Sequence, residues 1–224
     1  MPVRPDHWRL DDVVARLESR LAPPLPGLDA HVLMAPRPRA GWQPASVPGD
    51  ARAAAALILL YPLDTETREA GLPLIVRSTH LARHSGQVSL PGGAVEPGED
   101  MAQAALREAE EEVGIDVATV RVLGELTPLH IPVSGFVLHP VVGLTQQRPA
   151  FRPDAHEVAR IVEAPVAALA RRDVVRLRIR SHEGRDYEVP YFALADLQVW
   201  GATAMVLGEF LVVLGATPTL PRQG

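Results

Sequence analysis

Apolar side chains recur at three- and four-residue steps from Leu10 to Leu21, with Leu10, Val13, Val14, Leu17 and Leu21 on one helical face. The spacing predicts an amphipathic helix that caps the domain or a partner. Prolines then break the period, and residues 22–50 (APPLPGL, APRPRAGWQPASVPGD) predict an extended linker with little regular structure. From Ala53 the pattern changes to a continuous apolar run. AAAALILLYP reads as a buried strand, and PLIVRS as a second strand paired with it across an acidic turn. Pro91, Gly92, Gly93, Pro97 and Gly98 interrupt regular structure, after which Asp100 to Val113 predicts a helix. VVRLRIR and YEVPYFAL alternate in period two on either side of SHEGRD, as a hairpin does. A final helix should bury Met205, Leu207, Phe210, Leu211 and Leu214, and TPTLPRQG reads as a loose tail.

The length of 224 residues suits one domain with an N-terminal extension, and 47% hydrophobic content is ample for a packed core. Cysteine is absent, which excludes disulfides and thiol chemistry. There is no 18-residue apolar run and no apolar secretory stretch at the N-terminus, so the expectation is a cytoplasmic chain that spans no membrane. A net charge of −5 argues against general nucleic-acid binding. Every Lys/Arg position is Arg, and Asn is missing too, which coding bias explains more simply than function.

Charge becomes informative at one place. Residues 107–112 read REAEEE, and on a helix Glu108 shares a face with Glu111 and Glu112. Such a face is either plainly solvated or, if the carboxylates converge, in need of a positive partner, because like charges raise one another's pKa. Hard oxygen donors suit Mg²⁺ or Mn²⁺, which also grip phosphate.

The register of this run decides between the two. Gly93, five residues, Glu99, seven residues, Arg107-Glu108, a small apolar residue, any residue, Glu111-Glu112, any residue, Gly114 and an aliphatic resemble the Nudix box over 23 residues. Only Ala109 is smaller than the usual aliphatic. The resemblance implies an α/β fold of the α/β/α sandwich type with a mixed central sheet. It also implies metal-dependent hydrolysis of a nucleoside diphosphate linked to another moiety. The implied domain spans residues 51–216, preceded by a helix and Pro-rich arm over 1–50 and followed by a tail over 217–224. Glu108, Glu111 and Glu112 are the implied ligands of Mg²⁺ or Mn²⁺, Glu112 above all. Gly92 and Gly93 let the backbone approach metal or phosphate. Arg107, within the implied catalytic set, is held near Glu99 to fix the loop against the helix. Glu99 is also placed where a helix dipole favours a carboxylate, and Gly114 closes the motif.

The preceding segment, LIVRSTHLARHSGQVSLPGG (74–93), resembles that of coenzyme A diphosphatases through Arg77, Ser78, Arg83, His84, Gly86, Gln87, Val88, Pro91, Gly92 and Gly93. It departs at Ala82, a position often basic, and at Leu90, usually Phe. The implied substrate is coenzyme A or a derivative, bound with help from Arg77, Arg83, His84 and Gln87. Arginine suits bidentate phosphate recognition, although Arg77 also suits a strand end and Arg83 a solvated position. His80 and His84 stand four apart, but without Cys or an HExxH context they do not argue for zinc. Segments 123–143, 154–169 and 189–211 resemble the family's later strands and closing helix. Glu157 is the candidate for an extra metal ligand or water-orienting base, with Glu125 a weaker second. Trp200 reads as core or dimer contact ahead of adenine stacking. A homodimer is expected from the resemblance and the apolar C-terminal half.

Overall fold

The computed structural model describes residues 8–38, 49–78, 86–182 and 184–221. In chain order its helices are α1 (Leu10–Arg20), α2 (Leu28–His31), α3 (Met101–Val113), α4 (Val166–Leu169) and α5 (Gly201–Val213). The strands begin with β1 (Arg52–Pro62), β2 (Ala70–Arg77), β3 (Val88–Ser89), β4 (Gly92–Ala94), β5 (Arg121–Glu125) and β6 (Leu129–Ile131). They continue with β7 (Phe136–Leu144), β8 (Val158–Pro165), β9 (Val175–His182), β10 (Arg185–Leu194) and β11 (Leu197–Trp200).

The apolar run that starts at Ala53 becomes the central strand. β1 pairs in parallel with β7 from Arg52↔Phe136 to Leu60↔Leu144, and antiparallel with β4 at its start and β2 at its end. β2 carries β3 and β8, and β7 carries β5 and β6, which completes a mixed sheet of eight strands. Side chains alternate across a strand, so a run apolar at every position must be covered on both faces. Ala56, Ile58 and Leu60 join the cluster formed with α1 and α5, whereas Ala55, Leu57, Leu59 and Tyr61 join the cluster under α3. The result is the α/β/α sandwich. On the α3 side the contacts come from Ala104, Ala105, Ala109 and Val113, small side chains that seat the helix close to the sheet. A second, three-stranded antiparallel sheet runs β11-β10-β9, with the hairpin expected from VVRLRIR and YEVPYFAL at its centre.

α1 buries Leu10, Val13, Val14 and Leu17, as its period requires. The Pro-rich stretch departs from expectation. Residues 39–48 lie outside the described residues, but those up to 38 are no loose linker. Ala30, His31, Met34 and Ala35 are buried, Met34 completely, and Arg37 exchanges both backbone hydrogen bonds with Glu188 of β10. The cause is a polar tie that proline counting does not reveal. Glu209, fully buried on α5, accepts from Gly27 N–H at 2.9 Å and from the Thr127 hydroxyl at 2.6 Å, and lies 2.9 Å from His31 Nε2. No helix among the described residues is long and apolar enough to cross a membrane.

Burial pushes the Glu209 carboxyl up, but its bonds to His31, Thr127 and Gly27 outweigh this and hold it below the usual carboxylate range. A depressed native pKa contributes stability above the unfolded value, and that contribution is lost as pH falls through the native one. Stability is therefore expected to drop at the acid end as Glu209 protonates. Glu209→Ala, which strands buried donors, is expected to cost about 2–4 kcal/mol in urea unfolding at neutral pH and to flatten that acid limb.

Candidate functional site

The helix of the REAEEE run is fixed at both ends. Asp100 accepts from Gln103 N–H at 2.8 Å, and the Gln103 side chain accepts from Asp100 N–H at 2.9 Å, a reciprocal cap. Gly114 ends the helix at φ +67°, a left-handed conformation that suits glycine. Between these caps Ala105, Ala109 and Val113 face β1, and Glu112 goes under with them.

Glu112 is 2% exposed. One carboxylate oxygen accepts from Gly92 N–H at 2.8 Å, and the other lies 3.3 Å from Arg77 Nη1. Burial raises this carboxyl to about 7, against the opposing pull of the Gly92 N–H and Arg77; Glu108 and Glu157 push it further up. Glu108, half-buried, is also raised, again chiefly by burial. Arg107 binds Glu99 through two nitrogens at 2.7 and 3.0 Å, reaches Glu108 at 3.0 Å and Glu111 at 3.3 Å, and donates to the Ala94 carbonyl. It therefore clasps the glycine loop to the helix. Glu99 holds Arg107 above the usual arginine range, and Arg107 in turn keeps Glu99 below the usual carboxylate range. Arg77, at the end of β2, also lies 3.8 Å from Glu157, in the loop before β8.

Glu108 and Glu112 both come to the Gly92–Gly93 loop, but Glu111 does not converge with them as the helical spacing suggests. Its side chain is 61% exposed and bound to Arg107. Among the described residues no three acidic or histidine side chains are gathered to hold a metal ion as they stand. Glu108 and Glu111 are bound by Arg107, and Glu112 by Arg77. The donor set still fits a hard divalent cation: carboxylate oxygens whose charge is met by arginine. Gly93 lets one of these carboxylates come right up to the backbone, since a Cβ there would lie 2.3 Å from the Glu108 carboxyl.

Arg77, Gln87, Gly92 and Gly93 line one cavity of about 430 Å³ whose far wall includes Trp200 and Gly201. Arg83, His84 and His80 lie outside the described residues. Glu125 ends β5 opposite Val141. Trp200, at the end of β11, is partly exposed and faces this cavity, so it is not a core residue. A larger cavity of about 710 Å³ opens at the other end of α3, by Glu110 and Gly114, and touches none of Gly92, Gly93, Glu108 or Glu112.

The NUDIX domain model matches residues 51–198. The chain belongs to the Nudix family. It is 36% identical over 162 residues to the uncharacterized Nudix hydrolase NudL of Shigella flexneri, an alignment covering 67% of this chain and 78% of that one. NudL of Escherichia coli K12 is 37% identical over the same lengths. Among solved structures the Nudix hydrolase RenU of M. smegmatis shares the fold, with a TM-score of 0.51, 20% identity, and coverage of 77% of this chain and 91% of that one. The chain is thus a Nudix pyrophosphohydrolase acting on a nucleoside diphosphate derivative, in a family that uses divalent metal ions.

The two glycines of this Nudix loop separate folding from chemistry. A Cβ on Gly92 would meet the Ala55 carbonyl at 2.3 Å and the Ala56 Cα at 2.6 Å, fixed backbone of the central strand. On Gly93 it meets only the end of the movable Glu108 side chain. Gly92→Ala is expected to lower stability by about 1–3 kcal/mol. Gly93→Ala should melt within a few degrees of the parent, yet lose hydrolysis at least tenfold, by paired thermal-melt and turnover assays.

Proposed function

We propose that this Nudix hydrolase cleaves the pyrophosphate of coenzyme A or its derivatives, giving 3′,5′-ADP and 4′-phosphopantetheine. The observation that carries the reading is that Arg77 and Gln87, from the segment resembling coenzyme A diphosphatases, line the same cavity as Gly92 and Gly93.

In this reading Glu108 and Glu112 would hold Mg²⁺ or Mn²⁺, joined by Glu111 on its release from Arg107, with the bare Gly93 backbone alongside. The bound cation supplies charge neutralisation at the diphosphate and a lower pKa for the attacking water. The chain's own residues do the rest. Gly92 N–H fixes the Glu112 carboxylate. Arg107 keeps the loop against α3, and Glu99 keeps Arg107 in place. Arg77, joined here to Glu112 and Glu157, is placed to turn to a substrate phosphate, with Arg83 and His84 adding charge nearby in sequence. Glu157, its side chain half exposed beside Arg77, is the candidate to orient water. Water adds to one phosphorus and passes its proton to Glu157, while the bridging P–O bond breaks and the leaving phosphate takes the electron pair. The expected homodimer is tested by sedimentation: a monomer at micromolar concentration refutes it.

Coenzyme A, ADP-ribose, a dinucleoside polyphosphate and a nucleoside triphosphate are to be compared with Mg²⁺ or Mn²⁺. Coenzyme A should give the highest kcat/KM; turnover of another substrate with none of coenzyme A would overturn the substrate but leave the enzyme class. Chelation should abolish activity. Glu112→Gln should cut kcat at least 10³-fold, about 4 kcal/mol of barrier, while keeping the parent's fold, since the amide oxygen still accepts from Gly92. Near-normal activity in that variant would remove Glu112 from the metal set.

A further inference from the structure

We infer that Trp200 and Arg180, with Arg178 stacked on the same ring, form a subsite for a phosphate monoester on the nucleoside half of the substrate, separate from the subsite of the scissile diphosphate. The inference deepens the coenzyme A reading and rests on it for the identity of the substrate.

β9 carries a row of arginines with no carboxylate opposite them on β10. Arg176, Arg178 and Arg180 stand two apart on β9, hence on one face, where like charges repel unless the neighbouring strand answers them. The neighbour does not. Their partners on β10 are Tyr191, Val189 and Tyr187, with no carboxylate among them. The Arg178 and Arg180 guanidiniums instead sit over the Trp200 ring, at 5.0 and 4.4 Å from its centroid. Arg178 also lies 5.8 Å from the Tyr191 ring. Its Nη1 donates to Gln198, but its Nε is buried without an acceptor. Among the described residues neither Arg178 nor Arg180 has a carboxylate within ion-pair distance, and the two share one aromatic ring. Two unneutralised arginines held together by an aromatic ring, in a chain of net charge −5, ask for an anion.

Position supplies the identity of that anion. A cavity of about 420 Å³ has Arg180, Tyr187 and Trp200 on its wall and shares Gln87, Ile131, Val133, Trp200, Gly201 and Ala202 with the cavity that reaches Gly92 and Gly93. The two form one groove with cations at either end, Arg77 by the glycine loop and Arg180 at the far end. Between them the wall is apolar, from Ile131, Val133 and Ala202. A ligand matching this order has a diphosphate at one end, a ribose whose base lies against the apolar wall, and a second phosphate on another hydroxyl of that ribose. Arginine forks bind such a monoester bidentately.

The test compares adenosine 3′,5′-bisphosphate, adenosine 2′,5′-bisphosphate and AMP as inhibitors, using whichever diphosphate substrate the enzyme turns over. At least one bisphosphate should inhibit tenfold or more below the AMP constant. Arg180→Gln, at an exposed position, should erase that preference, Arg180→Lys should restore part of it, and AMP inhibition should stay within twofold in both. With coenzyme A as substrate, Arg180→Gln should raise KM tenfold at constant kcat and leave 3′-dephospho-coenzyme A unaffected. Equal inhibition by AMP and both bisphosphates, or equal losses for coenzyme A and its dephospho form, would overturn the subsite. A retained bisphosphate preference without coenzyme A turnover would instead overturn the substrate reading alone.

Discussion

The hydrogen bond from Gly92 N–H to the buried Glu112 carboxylate is the constraint around which the site is arranged. It joins the end of α3 to β4 on the edge of β1, and Arg77 adds the end of β2 to the same group. A carboxylate taken out of water is costly unless hydrogen bonded and charge-compensated. The fold meets that cost with one backbone donor and one guanidinium, and the carboxyl still titrates near 7. Gly92 serves both needs. Its bare Cα admits the Ala55–Ala56 backbone, and its N–H is the donor. The sheet contact and the acidic site therefore share one residue.

Arginine takes up the charge of this acidic cluster throughout. Arg107 holds Glu99, Glu108 and Glu111 to a single guanidinium, and Arg77 spans Glu112 and Glu157. The two differ in what else they do. Arg107 is fastened by both oxygens of Glu99 and by the Ala94 carbonyl, so it cannot leave without freeing the loop. Arg77 has only longer contacts, 3.3 and 3.8 Å, and faces the cavity. The first is a clasp; the second is free to change partners when the charge in the site changes.

Elements with strict periodicity were legible in the chain. The 3.6-residue period of Leu10–Leu17, the unbroken apolar run of β1 and the alternation of β9 and β10 each dictate one way to bury side chains, and the fold obeys them. Motif spacing likewise placed Glu108 and Glu112 beside Gly92–Gly93, because cap, helix and left-handed Gly114 are all local. Long-range pairings were not legible. Glu209 lies in an apolar helix and its partners are 178 and 182 residues away, so no window of sequence shows that residues 27–35 are anchored. The splay of Glu111 was also hidden: spacing gives the face of a helix, not the guanidinium that a side chain reaches. The row of Arg178 and Arg180 was visible as alternation, but its meaning depended on which residues β10 sets opposite.

That anchoring bears on chemistry. His31 and Gly27 fix the N-terminal arm to α5 through Glu209, and the Arg37–Glu188 bridge fixes it again to β10. Pro36 and Pro38, on either side of the Arg37 tie, line the groove with Tyr187, Trp200 and Met205. Neither proline contributes charge or a side-chain hydrogen bond; their effect is to narrow an apolar passage with rings of restricted motion. The core Nudix elements supply the acidic end of the groove, while the arm and the β9–β10–β11 sheet supply the other. The two ends of the groove thus sit on different parts of the chain, and α5 packs against β6, β10 and β11 between them. Substitutions at the α5 tie should be felt at the far end of the groove before they reach Glu112, because the acidic end is held independently by Gly92 and Arg107.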